Sequence, residues 1–156
     1  MNILRTRRAR LATLSLGLVA VSASAMSHPA SAAAACTFHL RSVEAVDIQE
    51  EGRIGTGDEI YLIINGERVP VSGTVDFPAD HTTQPASEFG DANATNETFT
   101  GSMKGKLWEQ DPGFDEKIGV NATVNCTGNQ TDQVLAFVEP GSSAYDVHYD
   151  LTFVSG

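Results

Sequence analysis

From Tyr145 to Phe153, apolar and polar residues alternate without a break. Tyr145, Val147, Tyr149, Leu151 and Phe153 fall on one side, Asp146, His148, Asp150 and Thr152 on the other. A period of two marks a β-strand with one face to a core and one to water. The same period governs Cys36, Phe38 and Leu40, and Val43, Ala45, Val46 and Ile48 extend the apolar run. Residues 36–48 are therefore expected as one long strand, or two with a bulge near Ser42. Ile60–Ile64 is strongly β-forming, and Asn65-Gly66 separates it from Glu67–Val71. Asn-Gly between two such runs is the strongest short hairpin signal. Pro70 puts the second of these strands, or its end, at a sheet edge, since proline has no N–H to offer a neighbour.

Shorter strands are expected at 73–77, 99–108, 120–126 and 134–138. Residues 78–98 are polar and rich in Ala, Ser, Thr, Asn and Asp, and read as a long loop, either functional or a mobile insertion. No helical period is found beyond the leader. This spacing predicts an all-β fold, an antiparallel β-sandwich of about eight strands.

The leader has a different grammar. Arg5, Arg7, Arg8 and Arg10 precede the apolar stretch Leu11–Val21, and Ala-Ser-Ala follows at 23–25 and again at 30–32. That order is a secretory signal peptide, too short and wrongly flanked for a membrane span. Cleavage after the second Ala-Ser-Ala makes 1–32 the signal and 33–156 a single domain, secreted by bacterial export with no stable membrane insertion. All 20 acidic residues but only 6 of the 10 basic ones lie beyond residue 32, so this domain carries 6 − 20 = −14. Such a charge argues against nucleic acid and against unaided binding to anionic membranes, and is compatible with cations or basic partners. The two cysteines, Cys36 and Cys126, point to one disulfide in an exported chain. Ala33-Ala34-Ala35-Cys36 as a lipoprotein box lacks the usual leucine and would strand Cys126.

The densest chemistry lies between Leu107 and Val120. The only tryptophan, Trp108, is followed by Glu109, Asp111, Asp115 and Glu116, then by Ile118-Gly119. These carboxylates repel one another unless a cation or water sits among them. In an extended Glu109-Gln110-Asp111 both carboxylates point to the same side. Pro112-Gly113 turns the loop back, so that Asp115 or Glu116 can close on the same point. A second acidic loop, Glu50–Tyr61, ends in Asp58-Glu59 at the start of a strand.

This pair of loops resembles the C-two (C2) domain, a calcium- and lipid-binding β-sandwich. Its first loop is acidic, contains glycine and ends in Asp-Pro-Tyr. Its third begins Trp-Asp-x-Asp and ends Asp-x-Ile-Gly. Asp58, Glu59 and Tyr61 stand near the first pattern, and Trp108, Glu109, Asp111 and Ile118-Gly119 in the second. Small exported bacterial proteins carry a similar pair. The resemblance implies a C2-like sandwich over 36–153 and calcium as the ligand. Asp58, Glu109, Asp111 and Glu116 would bind it, with Glu51 and Asp115 as helpers. The first loop lacks the family's earlier aspartate, the third is about a residue short, and the basic lipid-contacting patch is absent.

No His-Glu-x-x-His, Gly-x-Ser-x-Gly, phosphate loop or Cys-x-x-Cys is present, and the chain is not expected to be an enzyme. Asp146, His148 and Asp150 share one strand face, read as a solvated face ahead of a transition-metal site. Two function classes lead, with a small hydrolase the weakest third. The first is a calcium-binding extracellular module. The alternative is a secreted inhibitor or effector that docks through 78–98 on another extracellular protein such as a protease.

Overall fold

A computed structural model describes residues 34–48, 57–111 and 113–154. The signal-peptide reading and Glu51 lie outside them. The elements are β1 (Ala35–Asp47), β2 (Asp58–Ile64), β3 (Glu67–Val69), β4 (Val75–Phe77), β5 (Thr83–Pro85), α1 (Ala86–Phe89), α2 (Ala92–Thr95), β6 (Asn96–Thr100), β7 (Ser102–Glu109), β8 (Glu116–Asn125), β9 (Gln130–Glu139) and β10 (Ser143–Val154).

They form two antiparallel five-stranded sheets, a β-sandwich as expected. One runs β5-β1-β10-β9, with β6 also along β1. The other runs β3-β2-β7-β8, with β4 also along β2. The strands outnumber those expected because both edges are built from two short pieces sharing one long neighbour. Pro70 accounts for one such break: β3 stops at Val69, and the chain rejoins β2 only at Val75. At the hairpin, Asn65 and Gly66 have φ of 53° and 101°, the left-handed pair that a tight two-residue turn requires.

β1 shows how the pleat is kept facing the core. Cys36, Phe38 and Leu40 are buried, and so are Val43 and Ala45, although an unbroken strand would send the two sets to opposite faces. Leu40 faces Tyr149 while Ser42 faces His148, so Arg41 is an extra residue, and this bulge turns the second half back inward. Inside, Phe38 stacks on Tyr149 with centroids 4.9 Å apart, and Phe77 meets Tyr145 edge-on at 5.4 Å. Cys36 and Cys126 are bonded, joining β1 of one sheet to the end of β8 of the other. Closing a loop with a separation of 90 residues is worth about 4–5 kcal/mol in the chain-entropy account.

Three expectations are corrected. The run 99–108 is two strands, because Gly101, at φ 70°, swings the chain from the first sheet to the second. Phe153 is 41 % exposed rather than in the core. β9 no longer pairs beyond Leu151, so the last residues of β10 have β1 as their only strand neighbour. Residues 78–98 are not a bare loop. They hold β5, two single-turn helices and the start of β6, with Phe89 fully buried. Asp91 caps α2, its carboxylate accepting from the backbone N–H groups of Asn93 and Ala94. A buried aromatic, a helix cap and backbone pairing of β5 and β6 with β1 order a stretch whose composition is polar. No helix among the described residues is long and apolar enough to cross a membrane.

Phe89→Ala should cost about 3–5 kcal/mol in a urea melt. A change below about 1 kcal/mol would return 78–98 to a dispensable loop.

Candidate functional site

The two acidic regions meet at one end of the second sheet. β2 begins there, and Gly57 just before it allows the approach: a Cβ on Gly57 would lie 1.9 Å from the Phe77 carbonyl oxygen. Asp58 follows and turns inward with Ile60, leaving it 2 % exposed. On the neighbouring β7, Glu109 shares the inward parity of Leu107 and is 7 % exposed. Glu109 pairs with Ile60 across β2–β7, so Asp58 is its diagonal neighbour on the same face. Across β7–β8 its partner is Glu116. Two carboxyls are thus buried side by side, with a third directly across the ladder.

Their electrostatics follow from that crowding. The Glu109 carboxyl is pushed up from 4.5 to about 8 by burial first, then by the charges of Asp58 and Asp111, a hydrogen bond to Asp58, and the charge of Glu116. Near neutral pH it keeps its proton and shares it with Asp58. Tyr145 on β10 donates its hydroxyl to Asp58 Oδ2. Burial, that bond and the charges of Asp58, Glu109 and Asp80 hold the phenol far above its usual range, so it stays a donor. Asp80 in turn accepts from the backbone N–H of Ile48 at 2.8 Å, pinning the end of β1 where the first acidic loop departs.

Of the residues singled out in the sequence, Asp58, Glu109, Asp111 and Glu116 are brought within electrostatic reach of one another. Asp115 is not among them. Its Oδ2 accepts from the Tyr61 hydroxyl at 2.7 Å, Tyr61 having the outward parity of β2. Among the described residues no group of three or more His, Cys, Asp or Glu is gathered closely enough to hold a metal ion. That includes Asp146, His148 and Asp150. His148 pairs with Glu44 at 3.5 Å and Asp150 with Arg41 at 2.7 Å. Sequence reasoning missed Tyr145 and Asp80. Tyr145 looked like a core aromatic, but a buried tyrosine hydroxyl needs a partner, and that requirement was the available signal. Asp80 carried none.

Ile118-Gly119 has a structural task. Gly119 sits at φ 64°, and a Cβ there would lie 2.8 Å from the backbone N and O of Val138. Its N–H points to Glu139 Oε2 at 3.3 Å. Only glycine lets β8 pass this close to β9 while delivering Glu116 to the site.

No protein-family model and no curated protein matches the chain. Among solved structures it is similar to a C2 domain, at 10 % identity over 77 % of this chain and 97 % of that one, with a TM-score of 0.43. A C2 domain-containing protein from a putative elicitor-responsive gene is similar at 15 % identity, 83 % and 96 % coverage and a TM-score of 0.47. So is the calcium-bound pair of C2 domains of Extended-Synaptotagmin 2, at 12 % identity and a TM-score of 0.47, over 78 % of this chain and 46 % of that one. The two five-stranded antiparallel sheets make the architecture a β-sandwich whatever these likenesses are worth. The chemistry rests on the side chains.

Glu109 makes stability depend on pH with a definite sign. Its carboxyl ionises at 4.5 in the unfolded chain and at about 8 in the folded one. Between those values the unfolded state has lost the proton and the native state has not. The contribution is full below 4.5 and is lost as pH rises through about 8. The metal-free melting temperature should fall over that interval, and Glu109→Gln should flatten the fall. An unchanged slope in the variant would remove Glu109 as its source.

Proposed function

We propose that the chain is an exported binding module, not an enzyme, that takes up calcium where its two acidic loops meet. The observation that carries this reading is Glu109. A carboxyl buried beside Asp58, and charged only at the expense of repulsion from Asp58, Asp111 and Glu116, is relieved either by a proton or by a divalent cation. The donor set fits calcium in kind, since calcium takes six to eight hard oxygen ligands in flexible geometry. Asp58, Glu109, Asp111 and Glu116 would supply the anionic oxygens, with backbone carbonyls and water completing the shell. Magnesium suits the set less well, because it demands tight octahedral geometry and keeps its water.

The chain's own residues prepare the site. Tyr145 holds one oxygen of Asp58 and so fixes which way that carboxylate turns. Gly57 and Gly119 let the two strands enter at close range. Glu109 must lose its proton for calcium to bind, so affinity should rise with pH up to about 8.

Calorimetric melts with calcium and then with chelator test the reading. Extracellular modules bind calcium at about 10⁻⁴–10⁻³ M. At ~10 mM that corresponds to about 1.4–2.7 kcal/mol of stabilisation, or a shift on the order of 5–10 °C. Asp111→Asn should abolish the shift and raise the calcium-free melting point slightly, because it removes one of the charges that repel Glu109. No shift in the unmutated protein would sink calcium binding. The alternative, an inhibitor or effector of another extracellular protein, would then lead.

A further inference from the structure

The acidic loop between β7 and β8 is tied down on its outer side by Tyr61 and Arg68. Tyr61 and Trp108 are opposite one another on β2 and β7, and their parity puts both on the outer face of the second sheet. Their rings are 6.3 Å apart and nearly parallel, at 5°. Arg68 on β3 lies opposite Ile63 on that same face, one diagonal step from Tyr61. Its guanidinium carbon sits 3.7 Å from the centroid of the Tyr61 ring.

Both ends of the loop are fastened to this row. At the leading end the Gln110 backbone N–H donates to the Glu59 carbonyl at 2.8 Å, and Arg68 Nη2 donates to Gln110 Oε1 at 3.1 Å. At the trailing end the Tyr61 hydroxyl donates to Asp115 Oδ2 at 2.7 Å. Arg68 Nη2 also reaches the Gly73 carbonyl at 2.8 Å, which ties in the β3–β4 turn. Arg68 Nε is buried without a hydrogen-bond partner, an unfavourable arrangement that the ring contact and the Nη2 bonds outweigh. The loop tip remains outside the clasp, with Phe114 84 % exposed.

We propose that Arg68 and Tyr61 form a latch that holds both ends of the acidic loop to the sheet before any ligand arrives, and that Asp115 belongs to this latch rather than to a cation's ligand set. Burial, the bond to Asp115 and its charge push the Tyr61 phenol up to about 12, so the donor persists across ordinary pH. Arg68 and Tyr61 are positioning residues. With the latch closed, Asp111 and Glu116 project from a loop already ordered, and binding a cation costs less conformational entropy. The consequence for affinity rests on the calcium reading, while the latch itself does not.

The experiment is a double-mutant cycle on Tyr61→Phe and Asp115→Ala, with Arg68→Lys as a third variant that keeps charge but loses the planar stack. Two readouts separate the latch from the calcium reading. The first is amide hydrogen exchange of 110–116 without calcium. Each single variant should speed exchange about tenfold, and the double variant should add little to either single one. The second is calcium affinity from titrated melts. Tyr61→Phe, Asp115→Ala and their combination should each weaken binding by a similar factor, about three- to tenfold. Unchanged exchange in Tyr61→Phe overturns the latch. So does an Asp115→Ala variant that abolishes calcium binding while Tyr61→Phe leaves it untouched, since Asp115 would then be a ligand. Absence of calcium binding in the unmutated protein defeats the calcium reading alone, and the exchange result then decides the latch by itself. Because Tyr61→Phe preserves the ring stack, loss of fold is not expected to obscure the outcome.

Discussion

The antiparallel ladder between β1 and β10 runs from Ala35 opposite Val154 to Asp47 opposite Ala144, and the sandwich is assembled on it. It is the spine of the first sheet, with β5 and β6 on one side and β9 on the other. It also supplies inward residues along its length, from Phe38 and Tyr149 at one end to Ala45 and Tyr145 at the other. The ladder holds its register because each inward apolar residue would be exposed by a slip of one. The bulge at Arg41 keeps both halves of β1 facing the core, and a second shift in register follows between Ala45 and Asp47.

That ladder also reaches the buried carboxyl pair. Tyr145 belongs to its last turn-side pairs, facing Ala45, and its hydroxyl extends into the second sheet to Asp58. Asp58 and Glu109 are the charged side chains buried among the described residues, and they lie together. A buried carboxyl pair is costly unless it shares a proton or a cation. The sandwich places this cost at one end of the second sheet, where β2 begins and β7 ends, and not in the middle, where an apolar pair would be more stable. The disulfide and the tightly packed β8–β9 crossing at Gly119 hold the first sheet, with Tyr145, against the second, which carries the pair.

The outer face of the second sheet complements the inner one. Alternation along β2 and β7 sends Asp58, Ile60 and Glu109 inward, and Tyr61 and Trp108 outward. One strand pair therefore presents carboxylates to the site and aromatic rings to the loop's other flank. Residues adjacent in the chain, Trp108 and Glu109, or Asp115 and Glu116, serve opposite sides of one loop. Which of two neighbouring acids faces the site is a question of parity, and composition does not reveal it.

Local chemistry in the sequence was enough for several of the elements. The alternation at 145–153, the Asn65-Gly66 hairpin, the break at Pro70 and the bulge beside Ser42 all follow from interactions within a few residues, and all appear in the structure. The even cysteine pair was legible because only one pairing exists. Tertiary structure alone decided the rest. It split 99–108 between two sheets at Gly101, seated Phe89 in the core and left Phe153 outside it, since burial depends on which strands lie alongside. It also sorted the acidic residues, drawing Glu109 to Asp58 and giving Asp115 to Tyr61. The hydroxyl of Tyr145 lies 87 residues from the carboxylate it holds. No local pattern records such a pairing, because a hydrogen bond depends on distance in space and not on distance along the chain.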